Sequence, residues 1–164
     1  MIPSSILHPR SVWPCQIAAV NHNGGEPSNP AGADMYRAIT HNVEVVVRPQ
    51  FSPEQSNPEK SKYFWTYAIE ITNHGSDTIQ LRHRYWEITD GNGQRQDVRG
   101  PGVVGEQPIL KPGDTFRYAS GCPLTTPQGI MVGEYEMVDG RGSHFNVKIP
   151  AFSLDSPFEK RRLN

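Results

Sequence analysis

Gly100, Gly102 and Gly105 spell G-x-G-x-x-G inside the run Arg99 to Asp114, the spacing with which dinucleotide-binding folds hold a pyrophosphate. In those folds the glycines leave a strand and open a helix whose N-terminal amides and dipole grip the anion. No such helix can follow here. Pro108 and Pro112 lack amide donors and interrupt any helical run, and Lys111-Pro112-Gly113-Asp114 reads as a turn. The motif is therefore expected on a loop between strands. Successive amides in a Gly-rich turn can still form an anion-binding nest, with Arg95 and Arg99 near in sequence to supply charge. The plainer reading is that Gly100 and Gly102 allow tight or positive-φ backbone while Val103, Val104 and Ile109 pin the loop to the end of the domain. Glu106 belongs to the same candidate recognition surface.

A second cluster, Arg82-His83-Arg84-Tyr85-Trp86, joins cations to aromatics. Arg82 and Arg84 share a parity, so on a regular strand they project together, and paired guanidinium groups suit carboxylates or phosphates. They could equally belong to a solvated face, paired with Glu70 and Glu136 of neighbouring strands. Trp86 is expected in the core. The chain has 6 histidines but no His-x-His, His-x-x-x-His or Cys-x-x-Cys spacing, so no metal site is expected, although His83, His144 and Cys122 could converge in space. Cys122 precedes Pro123 with no basic neighbour to activate it, Ser120 lacks the flanking glycines of a nucleophile elbow, and the acidic residues are dispersed. The reading is of a protein that is not an enzyme and carries no cofactor.

The elements that position these groups follow a period of two. Val43, Val45 and Val47 share one parity, as do Tyr63, Trp65, Tyr67, Ile69 and Ile71. Along Thr78 to Asp90, Ile79 and Leu81 agree with each other but not with Trp86 and Ile88, so a bulge is expected between His83 and Tyr85. Asp90-Gly91-Asn92-Gly93 and Asp139-Gly140-Arg141-Gly142 are turn signals, and Gly133 stands at a further parity shift between Val132 and Tyr135. Seven strands with Gly- or Pro-bearing turns and no helical period predict an all-β fold, a seven-stranded antiparallel sandwich.

Residues 1–34 are read as a flexible leader, because Asn21 to Asp34 combines Gly, Pro, Asn and Ser without apolar periodicity. The sandwich is expected over 35–157 and a short tail over 158–164. A formal charge of −1 provides no global field for nucleic acid or an anionic membrane. Val45-Val46-Val47 is far short of the roughly 20 apolar residues of a membrane helix. Two cysteines and no signal-peptide-like segment fit the cytoplasm.

Tyr63-Phe64-Trp65-Thr66-Tyr67, Glu70-Ile71-Thr72-Asn73, Arg84 to Asp90, Arg99 to Asp114 and Tyr118 to Leu124 together resemble the ApaG family, over about Met35 to Pro157. Family members commonly begin near the position of Met35. The resemblance implies an immunoglobulin-like or fibronectin type III-like sandwich, found alone in bacteria and as a module in some F-box proteins. It supplies no settled activity. It also implies a link to cobalt and magnesium homeostasis, which must be indirect for a chain without a membrane helix. The expected function is a cytoplasmic binding module with a protein partner, acting through Arg82, Arg84, Arg95, Arg99, Gly100, Gly102, Gly105 and Glu106; self-association as a homodimer is a further expectation. The alternative is a sensor or hydrolase of phosphate-containing small ligands such as diadenosine polyphosphates, which the family's genomic proximity to a diadenosine tetraphosphate hydrolase suggests.

Overall fold

The computed structural model describes residues 34–158. The expected leader, apart from Asp34, and the tail beyond Phe158 lie outside the described residues. Among the described residues are nine strands: β1 (Tyr36–Thr40), β2 (Val43–Phe51), β3 (Tyr63–Asn73), β4 (Ile79–Asp90), β5 (Arg95–Pro101), β6 (Ile109–Leu110), β7 (Thr115–Leu124), β8 (Gln128–Asp139) and β9 (His144–Asp155). Single 3₁₀ turns at Pro53–Gln55 and Pro58–Lys60 begin on prolines, whose fixed φ suits a first helical position. All seven expected strands are present. The two additions are β1, an edge strand, and β6, which is only two residues long.

The strands form two antiparallel sheets, ordered β1-β2-β3-β7 and β5-β4-β8-β9, with β6 added to β4. With β1 and β6 set aside, three strands face four, a sandwich of the immunoglobulin and fibronectin type III kind. Its core is built by alternation. Trp65, Tyr67, Ile69 and Ile71 of β3, and Val43, Val45 and Val47 of β2, meet Leu81, Trp86 and Ile88 of β4 and Val147, Ile149, Phe152 and Leu154 of β9. Tyr67 carries the contact between sheets, with its ring 5.5 Å from Trp86 and 5.8 Å from Phe152. Asp90 and Asp139 close their hairpins alike, each side-chain oxygen accepting two backbone amides of its own turn.

The bulge in β4 exists but lies earlier than expected, at Arg82, between Leu81 and His83. Ile79 and Leu81 before it, and Trp86 and Ile88 after it, all reach the core. Parity requires only an odd insertion somewhere between the two apolar pairs; pairing with β8 decides where. The consequence is that Arg84 shares the inward parity of Trp86, and Arg82 and Arg84 do not project together. The shift expected at Gly133 is also present, between Met131 and Gly133 in the pairing of β8 with β9. A Cβ at Gly133 would lie 2.2 Å from the Tyr85 carbonyl oxygen, so close strand approach requires glycine there.

Candidate functional site

The G-x-G-x-x-G run is a small hairpin clamped to the bulged part of β4. Gly100 pairs with Arg84 and Pro101 with His83. The Gly102 amide donates to the Arg82 carbonyl at 2.8 Å, and Val103 and Glu106 exchange both backbone bonds, at 2.8 and 2.9 Å. Between these two, Val104 and Gly105 have φ of +46° and +76°, the two positive values of a type I′ turn. The Gln107 side chain donates to the Arg82 carbonyl, and the Leu81 amide donates to the Pro108 carbonyl.

The glycines have separate causes. Gly100 leaves room for the Arg84 guanidinium, which a Cβ would meet at 3.2 Å; Gly102, at φ +59°, would place a Cβ 2.2 Å from the Glu106 carbonyl oxygen; Gly105 takes the turn's second positive φ. Val104 is a β-branched residue at positive φ, a strained position that surrounding structure must impose. It packs against the core beside the wholly buried Val103. Ile109 does not pin the loop, being 62% exposed; Leu110 is buried in its place.

The candidate arginines divide between two faces. Arg95 lies outside, in ion pairs with Asp97 at 2.9 Å and Glu87 at 3.1 Å, and it donates to the Tyr85 hydroxyl. The Arg95 guanidinium holds the Asp97 carboxyl below the usual carboxylate range. Arg99 stacks on Tyr85, with Cζ 4.0 Å from the ring centroid. Arg82 donates weakly to Gln80, at 3.4 Å. Arg84 turns inward and donates from Nη1 to the carbonyls of Pro101 at 3.0 Å and Gly102 at 2.8 Å. None of Arg82, Arg84 and Arg99 is in an ion pair among the described residues. Glu70 is engaged by Arg48 and Arg117.

Beneath the hairpin, Arg84 faces a partly open cavity of about 20 Å³ between the sheets, with Tyr67, Trp86, Val104, Tyr118 and Ser120 in its wall. The hydroxyls of Tyr118 and Tyr135 bond each other, and burial pushes both phenols up, so both are neutral at physiological pH. Ser120 is buried, and its Oγ has no hydrogen-bond partner among the described residues. Sequence reading passed over Tyr118 and Ser120 as site residues. Their shared parity with Cys122 on β7 marks them as inward, but the gap they border appears only when the sheets face each other.

Elsewhere on the outer sheet face, Glu136 receives His83 at 2.9 Å and His144 at 3.5 Å, and the His83 bond foremost holds its carboxyl below the ordinary glutamate range. Both rings approach the same oxygen, Oε1, rather than a common metal position. Cys122 is buried, away from this pair of histidines by its place on the other sheet.

The ApaG domain family model matches residues 53–139. A protein ApaG from Methylocella silvestris and one from Brucella anthropi are each 58% identical over 130 residues, covering 79% of this chain and 100% of theirs. A solved structure described as an ApaA protein from Bordetella pertussis is 49% identical, with a TM-score of 0.69, over 71% of this chain and 95% of that one. With the glycine hairpin inside the matched span and the two-sheet sandwich around it, the chain belongs to the ApaG family.

Proposed function

We propose that this protein is a non-catalytic binding module which recognises a protein partner through the glycine hairpin and the arginines beside it. The observation that supports this is a rigidly hydrogen-bonded hairpin flanked by Arg82, Arg84 and Arg99, three cations that form no close ion pair among the described residues. Rigid sandwiches present loops for recognition, and unpaired cations grouped at one loop favour an acidic surface opposite them. Action in the cytoplasm, and an indirect part in cobalt and magnesium homeostasis, belong to the same proposal. Among the described residues no helix is long and apolar enough to cross a membrane.

The test reverses charge outside the core. Arg82→Glu with Arg99→Glu is expected to abolish capture of partners from lysate, identified by mass spectrometry, while leaving the thermal melt nearly unchanged. Undiminished capture would remove this surface from the function. The nucleotide reading has weaker support, since the amides of Gly102, Val103 and Glu106 already donate to protein carbonyls and leave few donors for a phosphate nest. Calorimetric titration with diadenosine polyphosphates is expected to give no heat.

A further inference from the structure

We propose that the cavity beneath the glycine hairpin receives one oxygen of a carboxylate, carried on an acidic side chain of the protein partner and held by the Arg84 guanidinium and the hydroxyl of Ser120. This rests on the binding-module reading and names the chemistry that the module recognises.

Three observations converge on it. Arg84 is half-buried, lies flat against Gly100, and makes its described hydrogen bonds from Nη1 alone, to two neutral carbonyls. Those carbonyls orient the guanidinium but do not neutralise it, and a partly desolvated cation favours a paired anion. The remaining Nε–Nη2 edge is the fork that matches two carboxylate oxygens. Ser120 is 6% exposed, sits in the wall of the same cavity, and has an Oγ without a partner among the described residues. The cavity, about 20 Å³ and partly open, has room for one carboxylate oxygen and leaves the rest of the acidic side chain on its open side.

The chemistry of the walls selects among occupants. A water would satisfy Ser120 and leave the charge of Arg84 uncompensated. A phosphate brings up to four oxygens and nearly two charges to a single cation and a single free hydroxyl. A carboxylate brings one charge and two oxygens, one of which the cavity can hold, and the apolar lining residues Trp86, Ile88, Val98 and Val104 are compatible with an aspartate or glutamate methylene beside them.

The probe is sodium acetate, titrated into the full-length protein at constant ionic strength and followed by ¹H–¹⁵N NMR, with sodium chloride and sodium phosphate as parallel arms. Acetate is expected to shift the amides of Gly102, Val103 and Ser120 and the Arg84 Nε resonance saturably, more tightly than phosphate and beyond any chloride effect. Ser120→Ala removes a hydroxyl that has no hydrogen-bond partner among the described residues, so its fold should persist while acetate binding weakens several-fold. Arg84→Gln should abolish the binding, with the Val103 and Glu106 amides reporting whether the hairpin stays closed. Shifts no larger than those with chloride, tighter phosphate binding, or equal acetate affinity in Ser120→Ala would each overturn the proposal. Acetate binding needs no partner, so failure here leaves the Arg82 and Arg99 capture result standing, and failed capture is read apart from this titration.

Discussion

Trp65 combines an apolar role with a polar one. It is 1% exposed, its ring lies 5.5 Å from Phe51 and 6.5 Å from Tyr63, and its indole N–H donates to the Asp155 carbonyl at 2.8 Å, tying β3 to the end of β9. Trp65→Ala removes all of these, and the expected cost is on the order of 3–5 kcal/mol. Thr66, one step along, faces outward and is only half-buried. Thr66→Ala should cost less than about 1 kcal/mol. Urea denaturation of the two variants checks the contrast, and equal losses would mean that the outer face of β3 is covered. The burial of Trp65 was legible because four other apolar residues, Tyr63, Tyr67, Ile69 and Ile71, share its parity along an uninterrupted strand. Arg84 was not legible in the same way. Its direction depends on which residue of β4 bulges, and that is decided by pairing with β8, which begins at Gln128, 46 residues downstream of Arg82.

At the scale of elements, the hairpin shows how one sequence motif can serve a different geometry from the one it commonly signals. Three glycines spaced for a pyrophosphate loop instead admit an arginine, clear a carbonyl oxygen and complete a type I′ turn. Gly102→Ala places a methyl group against Glu106 at a φ that alanine resists, so it should cost more than about 1 kcal/mol and broaden or shift the Val103 and Glu106 amide resonances. Gly140→Ala is the control. That glycine has no atom within 4 Å of a Cβ and no positive φ, and its substitution should change stability by less than about 0.5 kcal/mol. Thermal melts of both variants would show the difference, and a neutral Gly102→Ala would mean that the hairpin opens without loss.

For the whole molecule, the two sheets close through packing of β1 and β2 against β9. The 130 residues that match the ApaG relatives span those relatives entirely, which indicates that this stretch contains what a related fold requires. Deleting Met1 to Asp34 is therefore expected to leave the denaturation midpoint and the elution volume of the protein unchanged. A melt lower by several degrees, or a changed oligomeric state, would show that Ile6, Leu7, Val12, Trp13 and Ile17 contribute to the folded protein or to its association. The near-zero formal charge, −1, conceals a local imbalance: Arg82 and Arg99 on the outer face and Arg84 turned inward all adjoin the glycine hairpin, and none is in a close ion pair among the described residues.

By itself, the sequence determined the all-β class, the seven principal strands, the core alternation of β2 and β3, and the exclusion of a helix after the glycine motif. Each of these depends on local periodicity, turn chemistry or a missing proline amide. Tertiary structure alone decided the bulge at Arg82, the inward turn of Arg84, the replacement of Ile109 by Leu110 as the buried anchor, and the placing of Arg84 and Ser120 in the wall of one cavity. These depend on registers between distant strands and on the facing of two sheets, and a one-residue change of register moves every following side chain to the opposite face.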